Sequence, residues 1–339
     1  MTSTINDVAK LAGVSRQTVS RAVNQPGLLH PETLAKVKKA IELLDYHPNV
    51  TARNLANNSV RSVGLFMPFG ASQVRQNLFF STLSATICHF CAENDFVLQL
   101  FTSVQKESYS DLFKKLYREK RVGGLILTCP TVNNNEIVDL LSAHIPFILV
   151  GRPGIDLEQI HYVDVDNVDA AYQATSYLLQ LGHRRIGFLN APPFMTLSED
   201  LRKGMHRAYL EIGQSPTDII EIHTDLTLES GFEESLKLLS DPQRPTAIFT
   251  TDDLMAIGVS KAADQLSLGI PNDLSLVSAA KNGWGELMRP DLTYVDTGFE
   301  KLGVLSAAFM MELIEGRTEA AYKQVLPVRL VQGGSCKAL

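Results

Sequence analysis

The stretch GVSRQTVSRAVN, residues 13–24, decides how the head of this chain folds. Gly13 suits the end of one helix, and Ser15 is a good N-cap for the next, because its hydroxyl can accept a free N–H of the first turn. On the helix that follows, Val19, Ala22 and Val23 fall together at i, i+3 and i+4, while Arg16, Gln17, Ser20, Arg21 and Asn24 gather on the other side. One side packs and the other is free to touch something. Upstream, Thr4 three residues before Asp7 has capping-box spacing, which predicts a first helix from Ile5 to about Ala12 with Val8 and Leu11 inward. Val14 plugs the turn. Downstream, Gln25-Pro26-Gly27 is a turn and Pro31 suits the first position of a third helix, with Leu34, Val37, Ile41 and Leu44 as its buried stripe and Lys36, Lys38 and Lys39 on other faces.

Three short helices with a tight glycine turn between the first two describe a helix-turn-helix unit, whose second helix enters the major groove of DNA. Arginine reads guanine edges, glutamine and asparagine read adenine, and serine, threonine and lysine hold phosphates. A polar helix face is also what any solvated helix shows, so charge placement matters. Residues 1–62 hold eight Lys/Arg against four Asp/Glu, a net +4, whereas the remainder carries 23 against 33, a net −10. A basic head on an acidic body suggests that the head meets something anionic, nucleic acid first.

The run TINDVAKLAGVSRQTVSRAVN closely resembles the opening of LacI-type bacterial transcription regulators, and HPNVTARNLA, residues 47–56, resembles the hinge that follows it in that family. The resemblance implies a DNA-facing set of Thr4, Ser15, Arg16, Gln17, Thr18, Ser20, Arg21 and Asn24, joined from the hinge by Asn49, Ala52, Arg53 and Leu55. Asn49 can cap a helix from Val50 to about Asn57, but a helix that short is below the roughly 12 to 15 residues at which isolated helices become marginal in water. It needs support. The resemblance implies two such helices, one per subunit, packed together in the minor groove with Leu55 wedging a base step open.

From Val63 onward apolar strand-like runs (VGLFMP, FVLQLFT, VGGLILT, PFILVG, RRIGFLN, IIEIHT, TAIFTTDD, LSLVSAA) alternate with helical patterns such as 167–181, 198–212 and 253–267. Such strands mean parallel sheets covered on both faces, and eight or more of them fit two doubly wound lobes. The expected fold is a small all-α helix-turn-helix head plus an α/β two-lobed, periplasmic-binding-protein-like body. The expected divisions are 1–48 for the head, 49–61 for the hinge and linker, and 62–339 for effector binding and dimerisation.

Ligands of open parallel sheets bind beyond the carboxyl ends of the strands, where Thr128, Arg152, Asp166 with Asn167, Asn190, and Asp252 with Asp253 stand. YVDVDN, QLGHRRIGFL, TTDDLMAIG and LGIPNDLSLVS also resemble the family's effector domain, which implies a cleft lined by Phe79 or Phe80, Arg152, Asp166, Arg202 and Asp252. Carboxylates accept paired sugar hydroxyls, arginine donates in a fork, and an aromatic face covers the apolar side of a pyranose. Asp166 and Asp252 also stand where helix caps would, and Arg202 reads equally as a helix-surface residue. Several departures from the family pattern leave the effector open. Ser278-Ala279-Ala280-Lys281 replaces a Gly-aromatic-Asp-Asp pattern, Arg202 is displaced by one residue relative to Gly204, the loop FGASQVRQN is longer than usual, and Gly333-Gly334 stands in place of an arginine. Lys281 admits an anionic ligand such as a sugar phosphate or sugar acid, or is a plain surface lysine. Trp284, the single tryptophan, either stacks on a sugar or packs.

Composition removes other classes. Hydrophobic residues make up 45% and charged residues 20% of 339, as in a soluble globular protein, and no apolar run reaches the roughly 18 to 20 residues of a membrane helix. No secretory layout opens the chain, so a cytoplasmic location is expected. Four cysteines make no disulfide framework, and Cys88-x-x-Cys91 sits on or beside a buried stripe of Phe80, Leu83 and Ile87 rather than in a metal-ligand set, so neither metal nor cofactor is expected. Phosphate-loop, dinucleotide, zinc-protease and nucleophile-elbow signatures are absent. A head of net +4 attracts DNA only modestly, so the expected partners are a second copy of the chain, a pseudo-palindromic operator in double-stranded DNA and a small effector, of the sugar class by resemblance. The reading is a non-enzymatic repressor of carbohydrate genes. Its rivals are an activator of the same build, a cytoplasmic α/β enzyme with a basic appendage, and a periplasmic binding protein.

Overall fold

The computed structural model describes residues 3–46, 60–103, 109–133, 135–155, 158–318 and 320–339. It forms two compact units, Met1–Val60 and Arg61–Leu339. The expected hinge helix, with Asn49, Ala52, Arg53 and Leu55, lies outside the described residues.

In the first unit α1 (Ile5–Ala12) opens with Asp7 turned back on its cap residue, the Thr4 N–H and hydroxyl both donating to Asp7 Oδ2 at 2.9 and 2.7 Å. Gly13 ends it at φ 65°, a left-handed position that a side chain would strain. Ser15 then accepts the Thr18 N–H at 3.1 Å and starts α2 (Arg16–Asn24), and Pro31 opens α3 (Pro31–Leu43). Val8, Ala9, Val19, Ala22, Val37 and Ala40 form the core of this unit. Leu11, expected inward, is 52% exposed, because the buried stripe of α1 runs through Ile5, Val8, Ala9 and Ala12 and leaves Leu11 at its edge.

The second unit holds two six-stranded sheets. The first lobe contains β1 (Ser62–Met67), α4 (Ala71–Gln76), α5 (Leu78–Glu93), β2 (Val97–Thr102), α6 (Tyr109–Arg118), β3 (Gly124–Thr128), α7 (Asn135–Ser142), β4 (Phe147–Val150) and β5 (Tyr162–Val165). The second contains α8 (Asn167–Gln180), β6 (Ile186–Asn190), α9 (Thr196–Glu211), β7 (Ile219–His223), α10 (Leu228–Leu239), β8 (Ala247–Thr250), α11 (Asp253–Gln265), β9 (Ser275–Ser278) and β10 (Thr293–Asp296). The chain then returns as α12 (Phe299–Ile314) and β11 (Lys323–Leu326) to the first lobe, and crosses again to place β12 (Arg329–Val331) in the second. Three segments therefore join the lobes.

The orders are β11-β5-β4-β3-β1-β2 and β12-β10-β9-β8-β6-β7, parallel throughout except for the β10/β12 pair. The strands are fully buried where helices cover both faces, as in β1, β3, β4, β6, β8 and β9. The expected two-lobed α/β body is present. The longer loop after β1 is not irregular. It contains α4, and Asn77 at its end caps α5 by accepting the Phe79 N–H at 3.0 Å.

Candidate functional site

On α2 the packing side and the polar side separate as the sequence pattern requires. Val19 and Ala22 are buried, while Arg16, Gln17 and Arg21 are exposed and Thr18 and Ser20 half-buried; Asn24 is the last residue of the helix. Thr4 and Ser15 use their hydroxyls in the caps of α1 and α2, and Thr18 Oγ1 lies 2.9 Å from Ser15 Oγ. The cap fixes the start of α2, so the exposed arginines leave a rigid helix rather than a loop.

Between the lobes lies a cavity whose empty space, counting its open mouth, is about 980 Å³. Its position follows from topology, since the ends of β4, β5 and β8 meet the loops before α9 and α11 there. Phe69, Phe79, Phe80 and Phe299 supply an aromatic wall, and the Phe79 and Phe299 rings meet edge to face at 5.0 Å. Asn77, Asp164, Asn167, Thr251, Asp252 and Asn282 add polar groups, and among the described residues no Lys, Arg or His lines it.

Two of these acids have unusual protonation. Burial pushes the Asp164 carboxyl up to about 7 even though it accepts N–H bonds from Val165 and Arg152 and from the Asn167 amide. Burial likewise pushes Asp252 to about 7, reinforced by the neighbouring Asp253 and opposed by the Met255 N–H and Asn77. Each is poised to accept or donate a proton near neutrality. Asn282 Oδ1 is buried and has no hydrogen-bond partner among the described residues.

The structure brings Phe79, Phe80 and Asp252 to the cavity, and Asp252 also caps α11 by accepting the Met255 N–H at 3.0 Å. Other expected residues are placed elsewhere. Thr128 is turned into its sheet, donating to the Phe66 carbonyl at 3.0 Å. Arg152 points across the lobe boundary, where Nε donates to Asp200 and Nη2 to Glu199 at 3.0 Å on α9. Asp166 caps α8 by accepting the Asp169 N–H, and the wall is formed instead by Asp164 and Asn167 on either side of it. Arg202 sits 3.9 Å from Glu221 on β7 and is not among the residues lining the cavity. Lys281 lies over the Tyr294 ring at 4.7 Å and 3.5 Å from Glu286, in a separate surface cleft. Trp284 donates Nε1 to the Gln76 carbonyl at 3.1 Å, a bond between lobes.

Sequence reading missed Asp164 and Asn77 as lining residues. Asp164 carries a detectable signal, a charge inside the otherwise apolar run Tyr162–Val165. Asn77 carries none beyond its position before an apolar helix.

A helix-turn-helix head together with a two-lobed α/β body that encloses a small-molecule cavity defines a DNA-binding transcriptional regulator with a small-molecule effector domain. Residues 4–49 match the bacterial regulatory proteins of the lacI family, and residues 175–336 match the periplasmic binding protein-like domain. The chain belongs to the lacI family of bacterial regulatory proteins. It is 33% identical to the HTH-type transcriptional regulator AglR of Rhizobium meliloti (strain 1021), over 81% of this chain and 76% of the relative. Among solved structures it is similar to the lac repressor dimer bound to operator and the anti-inducer ONPF, with TM-score 0.84, 26% identity and full coverage of both chains. It is also similar to the transcriptional regulator CelR in its cellobiose complex, with TM-score 0.75 and 27% identity over 98% of this chain and 99% of that one. Among the described residues no helix is long and apolar enough to cross a membrane.

Proposed function

We propose that this regulator binds a pseudo-palindromic operator as a homodimer and that an uncharged, hydroxyl-rich effector, a sugar, occupies the cavity between its lobes. The observation that carries the effector reading is the cavity lining, which combines four phenylalanine rings with Asp164 and Asp252 and has no cationic side chain. Aromatic faces cover the apolar side of a pyranose, and carboxylates accept its hydroxyls. A sugar phosphate or sugar acid would lose its hydration beside two buried acids without a cation in return, which argues against the anionic alternative. The cellobiose complex of the similar CelR is consistent with a neutral sugar.

Arg16, Gln17 and Arg21 are the candidates for base edges or phosphates, with Thr18, Ser20 and Asn24 in support and Thr4 and Ser15 fixing the helices that present them. The hinge residues Asn49, Ala52, Arg53 and Leu55 keep the minor-groove role that the resemblance implies. Edge strand β2 leaves Val97 and Leu100 59% and 54% exposed, an apolar edge of the kind that a second copy covers. In this reading the protein acts on DNA in the cytoplasm and does not turn over its ligand.

The test is operator binding by fluorescence anisotropy, on the DNA flanking its own gene, during titration with neutral mono- and disaccharides and with their phosphates and acids. The expected result is a change in operator affinity of about five- to 150-fold with one neutral sugar, the range of a 1–3 kcal/mol coupling. Response to an anionic sugar alone, or conversion of any ligand to product, would overturn the effector reading.

A further inference from the structure

Asp252 and Asp253 begin α11 side by side, and each carboxylate organises contacts that reach across the cleft. Asp252 Oδ1 caps its own helix, while Oδ2 accepts the Asn77 amide from the first lobe at 3.2 Å. Asn77 does the mirror-image task. Its Oδ1 caps α5 and its Nδ2 makes the crossing bond. Asp253 is fully buried, and its Oδ2 accepts three backbone N–H groups, from Asn282, Gly283 and Gly285 at 2.9, 3.0 and 2.8 Å. Those three bonds wrap the loop 282–285 around the carboxylate. The wrapped loop presents the Trp284 indole to the Gln76 carbonyl, the last residue of α4.

Both crossing bonds end on neighbouring residues, Gln76 and Asn77, of one short segment. That segment also supplies Phe69, Gln73 and Asn77 to the cavity wall. We propose that α4 with Asn77 is a strap closing one side of the ligand cavity, and that Asp252, Asp253 and Trp284 latch it shut through the chain's own hydrogen bonds. Trp284 and Asp253 are positioning residues in this scheme; they hold the strap and do not line the cavity. The inference goes beyond the assignment of a sugar effector, because it concerns bonds between the chain's own residues rather than contacts to a ligand.

The geometry distinguishes a latch from ordinary packing. Both donors have their acceptors on the opposite lobe, so both bonds must break when the strap lifts, whereas packing within one lobe would survive that motion. Each crossing bond contributes as one hydrogen bond with net strength of about 1 kcal/mol, so removing one shifts strap opening by about fivefold.

The experiment is hydrogen exchange of the full-length, ligand-free protein, followed in peptides covering residues 70–78 and in core peptides of β3 and β6, for the wild type, Trp284→Phe and Asn77→Asp. Trp284→Phe keeps the ring and loses the donor. Asn77→Asp keeps the shape and the cap but, with exchange followed at pH 8.5 where Asp252 is ionised, sets a second carboxylate against it. The expected result is strap exchange about fivefold faster in Trp284→Phe and faster still in Asn77→Asp, with β3 and β6 unchanged. The emission of Trp284, the single tryptophan of the chain, should shift to the red in Asn77→Asp as the indole loses its cover. Strap exchange unchanged in both variants would overturn the proposal. So would an equal acceleration in β3 and β6, since that assigns these residues to general stability.

Discussion

Asn77 and Asp252 each cap a helix with one side-chain atom and bond to each other with the other, 3.2 Å apart across the cleft. The ligand cavity is therefore walled by residues that already serve both lobes. A ligand hydroxyl that engages Asp252 touches a group tied to α11 behind it and to α5 in front.

Replacing Asp252 by Asn tests its raised protonation. A carboxyl near 7 in the folded state, above its unfolded value near 4, binds its proton more tightly when folded, so its contribution to stability is full at low pH and is lost as pH rises through about 4 to 7. Asn resembles the protonated acid and keeps the cap. Urea unfolding should find the variant gaining stability relative to wild type between pH 5 and 7.5, with the difference constant above that. A difference that does not change with pH would show that Asp252 is ionised throughout.

Arg152 lies between Glu199 and Asp200, and Asp200 is only 5% exposed. Arg152→Met keeps the aliphatic stem but leaves Asp200 to Lys203 alone, 3.6 Å away on the exposed face of α9. A loss on the order of 2 kcal/mol in unfolding free energy is expected, recovered in part by adding Asp200→Asn. Additive losses in the double variant would mean the pair does not interact.

In the head, Arg21→Ala should weaken operator binding by about 1–3 kcal/mol, and the logarithmic salt slope should fall by about one if the side chain meets a phosphate. Arg21 is exposed, so the melting temperature of the protein should stay within a degree or two. Unchanged affinity would remove Arg21 from the DNA-facing set.

Ser15→Ala removes the acceptor of the Thr18 N–H and should cost the head about 1 kcal/mol, whereas Ser15→Asp should retain most of it. Thermal unfolding followed by helical circular dichroism measures both. Equal destabilisation by Ala and Asp would show that position 15 acts through something other than its cap.

The fold was legible because its signals are local. Thr4, Gly13, Ser15 and Pro31 mark the helix ends of the head, and near-continuous runs such as Gly124–Thr128 can only be strands buried on both faces. The cavity was legible only in part. Sequence position placed Asp166, Arg152 and Thr128 at strand ends, but whether a polar side chain turns into the cavity or into a partner depends on neighbours far along the chain. Arg152 turned to Asp200, 48 residues on, and Thr128 to Phe66, 62 residues back. Asp166 was taken by the nearest N–H donor, three residues away, and ceded the wall to Asp164. Lys281 met Glu286 and Tyr294, both on the segment that directly follows it.

The three segments that join the lobes include the short link between β11 in one sheet and β12 in the other, only Pro327 and Val328 long. Two residues cannot absorb a large separation, so any motion of one lobe against the other must be mostly rotation about that side of the molecule. The greatest travel then falls on parts of the rim far from this link, where a small angular change becomes a displacement large enough to admit a ligand.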